Sequence, residues 1–164
     1  MTKTKKNLAE AFAGESQANR KYLAFAQKAD KEGYAQVARL FRAAAAAETV
    51  HAHSHLKVLG GIQGTRENLM NAVGGETHEF TDMYPRMIEE AVAEGNKRAQ
   101  TGFTYANEVE KIHAQLYRKA LEAMDSLPET DYFVCDVCGN TVEGEPPEKC
   151  PVCGVTKDHF MKID

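Results

Sequence analysis

Apolar residues recur at helical spacing through the first sixty positions of the chain. They form two stripes: Leu8, Phe12, Ala18, Tyr22, Ala26 and Ala29, then Val37, Leu40, Phe41, Ala44, Val58 and Leu59. Repeats of three and four residues are typical of amphipathic helices. The stripes meet at Lys31-Glu32-Gly33, and so short a connection makes two helices pack antiparallel. The pattern therefore predicts a first helical hairpin.

A second pair of stripes predicts a second hairpin, joined at Glu94-Gly95-Asn96. Its members are Phe80, Met83, Met87 and Ala91, then Ala99, Phe103, Ala106, Tyr117, Ala120 and Met124. Between the hairpins, residues 60–65 lead into a helix-compatible stretch, 66–73, with Thr65 as the expected N-cap and Gly74-Gly75 as the expected break. This segment predicts a long crossover, and hence an all-α four-helix bundle of ferritin-like arrangement.

The helical pattern stops after Asp125, where a polar segment containing Pro128 begins. The remaining residues are rich in Gly, Pro and Cys, and are too few to bury a useful core without a metal or a crosslink. The chain is therefore predicted to contain a bundle over residues 1–126, a linker over 127–131 and a small metal-bound module over 132–164.

Carboxylate and imidazole side chains interrupt the apolar stripes of the bundle. They are Glu15, Glu48, His51, Glu76, Glu79, Glu110 and His113. Three residues is close to one helical turn, so the Glu and His of each Glu-x-x-His pair share a face. The pattern also repeats, because Glu15 precedes Glu48 by 33 residues and Glu76 precedes Glu110 by 34. Each predicted hairpin supplies a similar set.

Five ionised carboxylates in an apolar interior would each cost several kcal/mol, on the order of the whole stability of a small domain. Any one of these residues alone fits a solvated helix face, but the complete set predicts a pair of iron or manganese ions. Tyr22 and Tyr84 fit either plain core or a phenol that hydrogen-bonds a ligand. The other helical histidines are expected to be surface or supporting residues: His53, His55 and His78.

All four cysteines lie in the last thirty residues, in two knuckles of similar sequence. The knuckles are Cys135-x-x-Cys138-Gly139 and Cys150-Pro151-x-Cys153-Gly154. The two pairs can close one tetrahedral thiolate site, and each Gly permits the turn that brings backbone amides toward sulfur. The spacing alone fits structural zinc as well as a single iron.

Charge and hydropathy exclude several classes of function. The formal net charge is −4, with a pI of about 5.9, and Lys and Arg form no stripe, so a nucleic-acid partner is not expected. The start of the chain has no apolar stretch of signal or membrane length. The chain is expected in the cytoplasm, without a membrane partner, and there CxxC pairs are more often metal ligands or redox groups than disulfides.

These motifs, in this order, resemble those of rubrerythrins over nearly the entire chain. The resemblance is carried by Ala13-Gly14-Glu15-Ser16, by both Glu-x-x-His pairs, by Gly75-Glu76-x-x-Glu79 with Met83-Tyr84-Pro85, and by the knuckles. It implies two bridging ligands, Glu48 and Glu110. It also implies that Glu15 binds one iron that moves with redox state. This iron would be bound by Glu79 when the pair is oxidised and by His51 when the pair is reduced. Glu76 and His113 would bind the other iron.

The resemblance further implies a rubredoxin-like tail, in which Cys135, Cys138, Cys150 and Cys153 bind one iron. The expected cofactors are thus three iron ions per chain. The expected activity is a non-haem diiron peroxidase that reduces hydrogen peroxide to water in oxidative-stress defence. Electrons would come from NADH through a reductase or rubredoxin. The competing functions are a ferroxidase or iron-storage protein, against which Glu79 and the tail argue, and a non-enzymatic module with a zinc-ribbon tail.

The position of the tail bears on assembly. Helical rise places the start of the linker roughly 20 Å from Glu110 and His113, and nothing in residues 126–134 forces a return along the bundle. The tail is therefore expected to serve the diiron site of a second subunit in a homodimer or higher oligomer. Heterodimers of a cysteine-site variant and a Glu110 variant should then recover activity that neither homodimer has.

Overall fold

The computed structural model describes residues 1–163, and Asp164 lies outside the described residues. The described residues form two compact units, Met1–Gln63 and a second unit that begins at Gly64. The first unit is a helical hairpin of α1 (Lys3–Lys31) and α2 (Ala35–Val58). Thr2 caps α1 by accepting a hydrogen bond from the Lys5 amide. Gly33 turns the chain with a φ of 84°, a left-handed value that favours glycine. The predicted first hairpin is confirmed.

Small side chains let the two helices of this hairpin approach closely. The buried residues at their contact are Ala26, Ala29 and Ala38, with Phe41 packed against them. The Asn19 amide crosses the hairpin and donates to the Ala45 carbonyl (2.7 Å) and the Thr49 hydroxyl (2.8 Å). Packing of alanines and this polar bridge therefore fix the level of one helix against the other.

The second unit begins with a longer helical segment than the sequence indicated. It comprises α3 (Thr65–His78), a π-helical turn (Glu79–Met83) and α4 (Tyr84–Ala93), followed by the antiparallel α5 (Lys97–Glu122). Gly95 makes the turn, with a φ of 68°, and the Asn96 side chain caps α5 by accepting from the Ala99 amide. The predicted second hairpin is confirmed.

Two details of the predicted crossover are wrong. The helix begins at Thr65 with Gly64 as its N-cap, so Thr65 is not the cap. Gly74 and Gly75 do not break the helix, because α3 packs along α5 and this packing offsets a glycine penalty of about 1 kcal/mol each. Residues 66–73 therefore belong to α3, and only residues 59–64 lie between α2 and α3.

The cysteine-containing module is a small antiparallel sheet in the order β2-β1-β3. Its strands are β1 (Tyr132–Cys135), β2 (Thr141–Glu143) and β3 (Phe160–Ile163), with a 3₁₀ turn at Lys157–His159 before β3. In the pairing register, Phe133 lies opposite Val142 on one side and Lys162 on the other. The compact units divide between α2 and α3, and the module belongs to the same unit as the second hairpin.

Candidate metal centres

The first hairpin brings together one carboxylate of α1 and the Glu-His pair of α2. Ligand atoms of Glu15, Glu48 and His51 all lie within 4.8 Å of one another. His51 Nδ1 is 2.9 Å from Glu48 Oε2, as expected for residues one turn apart. The carboxylate of Glu48 is largely covered, with 19% of its side chain exposed, whereas 56% of the His51 side chain is exposed. We call these three residues the first half-site.

The second hairpin repeats this arrangement, with Glu76 from α3 and with Glu110 and His113 from α5. His113 Nδ1 is 2.7 Å from Glu110 Oε2 and 3.6 Å from Glu76 Oε2. One imidazole nitrogen therefore faces two carboxylates, which is the placement of a nitrogen that shares a metal ion with them. We call this set the second half-site.

The electrostatics of the second half-site favour a bound cation. Burial raises the pKa of Glu76, and the hydrogen bond and negative charge of Glu110 raise it further. Burial and the charge of Glu76 likewise raise the pKa of Glu79. Partly buried carboxylates that repel one another are stabilised by a metal ion between them. The donor set of carboxylate oxygens and an imidazole nitrogen fits iron or manganese.

The helix changes geometry at the additional carboxylate. The π-helical turn begins at Glu79, directly after α3, and such turns occur often at functional sites. Glu79 is not among the three clustered ligands of the second half-site. The sequence pattern had no signal for this turn, because a π turn inserts one residue without changing the apolar periodicity on either side.

The two candidate tyrosines lie in different surroundings. Burial and then the charges of Glu110, Glu79 and Glu76 raise the pKa of Tyr84, so its phenol stays protonated near the acidic residues of the second unit. Tyr22 packs with the rings of Phe25 and Phe41, at centroid distances of 6.3 and 6.2 Å. The structure therefore associates Tyr84 with the predicted ligands and gives Tyr22 the surroundings of an aromatic cluster.

The four cysteines converge on one site. Their sulfur atoms all lie within 4.8 Å of one another, with Cys138 Sγ 3.6 Å from Cys150 Sγ and Cys135 Sγ 3.7 Å from Cys153 Sγ. A disulfide needs about 2.05 Å, whereas a tetrahedral ion with metal–sulfur bonds of about 2.3 Å separates its ligands by roughly 3.8 Å. The spacing fits a shared metal ion.

The two knuckles have matching backbone hydrogen bonds. Gly139 donates to the Cys135 carbonyl and Gly154 to the Cys150 carbonyl, each at 2.9 Å, with φ values of 83° and 79°. Burial raises the pKa of Cys150, but amide hydrogen bonds from Cys153 and Val152 outweigh it and lower that pKa to about 7. The predicted role of both glycines is confirmed.

Residues outside the predicted ligand set hold the module against α5. Thr141 Oγ1 is 2.9 Å from His113 Nε2, and Lys119 Nζ is 2.5 Å from Glu143 Oε2. Thr141 and Glu143 are two apart on β2, so both point to one face of the strand. The expectation that the tail lies far from the ligands of its own chain is wrong, because the module returns along α5.

Comparisons with known proteins agree with this geometry. The rubrerythrin family model matches residues 6–121, and the model of the rubredoxin-like domain of rubrerythrin matches residues 133–161. The chain belongs to the rubrerythrin family. This assignment confirms the predicted family and fold class, a ferritin-like diiron domain followed by a rubredoxin-like domain. The family consists of diiron proteins associated with oxidative stress.

Individual relatives match along almost the whole chain. Rubrerythrin-2 of Clostridium acetobutylicum is 38% identical, covering 94% of this chain and 93% of that protein. Nigerythrin of Nitratidesulfovibrio vulgaris is 38% identical, covering 96% of this chain and 85% of that protein. A solved structure of fully reduced, all-ferrous nigerythrin matches with a TM-score of 0.61 at 36% identity, covering 99% of this chain and 88% of that chain.

Each motif that carried the sequence resemblance lies on a described helix or knuckle.

Within residues 1–163, no helix is long and apolar enough to cross a membrane.

Proposed function

We propose that this rubrerythrin is a non-haem diiron peroxidase that reduces hydrogen peroxide to water with electrons relayed from its four-cysteine site. The observation that carries the proposal is the hydrogen bond between Thr141 of the rubredoxin-like module and His113, because it links the cysteine site to the second half-site within one unit. The overall reaction consumes one peroxide, two electrons and two protons and yields two water molecules.

We propose that the two half-sites together bind two iron ions, with Glu48 and Glu110 as bridges. Glu15, Glu79 and His51 would hold one ion, and Glu76 and His113 the other. The cysteines would hold a third iron. Two ferrous ions held by these residues would supply the two electrons needed to break the O–O bond. Tyr84 is a protonated phenol beside the acidic ligands and is suited to orient peroxide by donating a hydrogen bond. Tyr22 would support Phe41 and the first half-site by packing.

The proposed electron source is NADH through a separate reductase or rubredoxin, and the proposed location is the cytoplasm. Four free thiols at metal-ligand spacing suit a reducing compartment, where structural disulfides are rare. We further propose that the protein acts as a homodimer or higher homo-oligomer.

Metal analysis combined with a visible spectrum and a peroxidase assay tests the function. We expect three iron ions per chain, iron–thiolate absorption bands, and consumption of NADH upon addition of peroxide with a suitable reductase. Stoichiometric zinc at the cysteines, or full iron loading without peroxide reduction, would contradict the proposal. Ferrous oxidation without NADH-linked turnover would indicate a ferroxidase instead.

A further inference from the structure

His113 makes hydrogen-bonding contacts through both of its ring nitrogens. Nδ1 faces the carboxylates of Glu110 and Glu76, at 2.7 and 3.6 Å. On the other side of the ring, Nε2 lies 2.9 Å from Thr141 Oγ1, which belongs to the rubredoxin-like module. The orientation of this imidazole is therefore set from both sides of the ring, on one side by a residue 28 positions away in sequence.

Thr141 is placed to accept a hydrogen bond from His113. Its hydroxyl has one proton, which can be donated to the Gly139 carbonyl, 3.2 Å away, so that the hydroxyl oxygen accepts a hydrogen bond from an Nε2–H of His113. A metal ion between Nδ1 and the two carboxylates would take the Nδ1 lone pair and leave the single ring proton on Nε2, facing Thr141. Without a metal ion, Nδ1 is instead placed to donate to Glu110.

The knuckle makes this arrangement rigid. Gly139 follows Cys138 directly, and its amide donates to the Cys135 carbonyl at 2.9 Å. Next to it, Asn140 is 1% exposed and donates to Cys150 Sγ at 3.7 Å. Two hydrogen bonds therefore connect the cysteine knuckle to the imidazole: one between the Gly139 carbonyl and the Thr141 hydroxyl, and one between that hydroxyl and His113.

A second contact holds β2 in place without touching His113. Lys119 of α5 donates to Glu143, which also accepts from the Tyr132 hydroxyl at 3.1 Å. Because Glu143 and Thr141 share one face of β2, this ion pair keeps the Thr141 hydroxyl against α5. Loss of this ion pair should therefore weaken the contact of Thr141 with His113, although the ion pair itself makes no hydrogen bond to the imidazole.

We propose that Thr141 is a positioning residue for His113, and that through it the module serves the half-site of its own chain. Thr141 holds the His113 ring in the Nε2-protonated tautomer, with Nδ1 directed at the metal. This inference rests on the proposed function, because it takes the second half-site to bind a metal ion. Partners of metal-bound imidazoles raise the affinity of the site about 10- to 100-fold.

The test compares Thr141→Val, which keeps the shape but removes the acceptor, with Thr141→Ser, which restores a hydroxyl. The full-length protein, with zinc at the cysteines and the bundle emptied by a chelator, is titrated with Co²⁺ and followed by its visible absorption. We expect Thr141→Val to bind one Co²⁺ about 10-fold or more weakly. Thr141→Ser should bind as the native chain does, and so should the control His159→Gln, which removes a surface pair of the module with Asp136.

The Nε2 proton of His113 provides a readout that does not depend on activity. In the protein with zinc at both the cysteines and the bundle, proton–nitrogen correlation spectra should show this proton protected from solvent exchange in the native chain and in Thr141→Ser, and unprotected in Thr141→Val. If Thr141→Val has native affinity and a protected Nε2 proton, the inference is overturned and the peroxidase proposal stands. If the native bundle takes up no Co²⁺, the diiron proposal itself fails.

Discussion

Thr141 lies 2.9 Å from His113, although the chain continues from His113 to the end of α5 at Glu122 before it turns back to the module. The return places the module beside its own second hairpin, whereas the sequence predicted that the module serves a second subunit. A module displaced beyond the end of α5 would serve another subunit, whereas the module described here contacts a predicted ligand of its own chain. This relationship changes which variants can complement one another.

We first expect the cysteine site to be a relay and not the site of peroxide reduction. Replacing Cys138 by Ser should abolish NADH-linked peroxide turnover, because electrons no longer enter through the thiolate-bound iron. A single-turnover reaction of the chemically reduced protein with peroxide should persist. Stopped-flow absorbance measures both reactions. His159→Gln, which removes a surface pair with Asp136 in the same module, is the control and should retain turnover.

Loss of the single-turnover reaction in Cys138→Ser would refute the relay role. Metal analysis must accompany the measurement, so that loss of iron from the bundle is recognised. Retention of full NADH-linked activity would refute it as well.

A second prediction concerns Glu79, a carboxylate beyond those that a ferritin-like diiron site needs. We expect one iron to lie closer to Glu79 in oxidised crystals and closer to His51 in reduced crystals. Glu79→Ala should then keep its reduced-state iron content but fail to show the oxidised position. The control is Glu89→Ala, at an exposed position of α4. An iron that occupies one position in both redox states would show this idea to be wrong.

The six residues between α2 and α3 lead to a prediction about assembly. Residues 59–64 span at most about 25 Å. Glu48 lies ten residues before the end of α2, and Glu76 eleven residues after the start of α3. In a ferritin-like bundle the connection between the second and third helices runs back along the length of the bundle. To bring Glu48 and Glu76 to the same level, it would have to cover about 30 Å here, because each of these residues is about 15 Å from its end of the connection. We therefore expect a homodimer in which each diiron site combines the first hairpin of one chain with the second hairpin of the other.

Mixing experiments test this arrangement. Heterodimers of Glu48→Ala with Glu110→Ala should recover peroxidase activity, because one of their two sites has no substitution. Heterodimers of Cys138→Ser with Glu110→Ala should not, since the module and Glu110 of one chain serve the same site. This outcome is opposite to the one expected from the sequence. Recovery in the second mixture would show that the module serves another chain.

Lengthening the connection provides an independent measurement. Six Gly and Ser residues inserted after Gly60 should shift the protein from dimer toward monomer in light scattering, with iron content retained. The same insertion after Glu129, in the predicted linker, should leave the dimer intact. A native chain that is monomeric and fully loaded with iron would contradict the prediction.

The last prediction concerns the pH dependence of module docking. The hydrogen bond from Lys119 lowers the pKa of Glu143 below its ordinary value. A lowered folded-state pKa contributes stability above the unfolded-state pKa, and this contribution is lost as the pH falls through the lowered value. The pair is partly exposed, so its contribution is at most about 1 kcal/mol.

Lys119→Met should therefore increase hydrogen exchange of the β2 amides near neutral pH, and the difference from the native chain should shrink as the pH falls below 4. Lys111→Met removes a pair within α5, with Glu108, and is the matched control. An effect of Lys119→Met that is constant with pH would mean that the charge of Glu143 does not contribute.

The helical hairpins, the two Glu-x-x-His pairs and the cysteine knuckles could be predicted from the amino-acid sequence. These features depend on short-range spacing, in which residues three or four apart share a helix face and a CxxC-Gly segment folds as a local turn. The pairing of Glu76 with Glu110 was also readable, since antiparallel helices joined by Gly95 bring matching levels together.

The position of the module and the continuation of α3 past Gly75 depend on long-range packing and could not be predicted from local spacing. Thr141 and Glu143 look like ordinary strand residues, and their contacts with His113 and Lys119 span 28 and 24 residues through a linker without a periodic pattern. Gly74 and Gly75 have the signature of a break, but packing of α3 on α5 overrides that local preference. Local spacing does not encode such long-range contacts, because they depend on how a flexible connection closes.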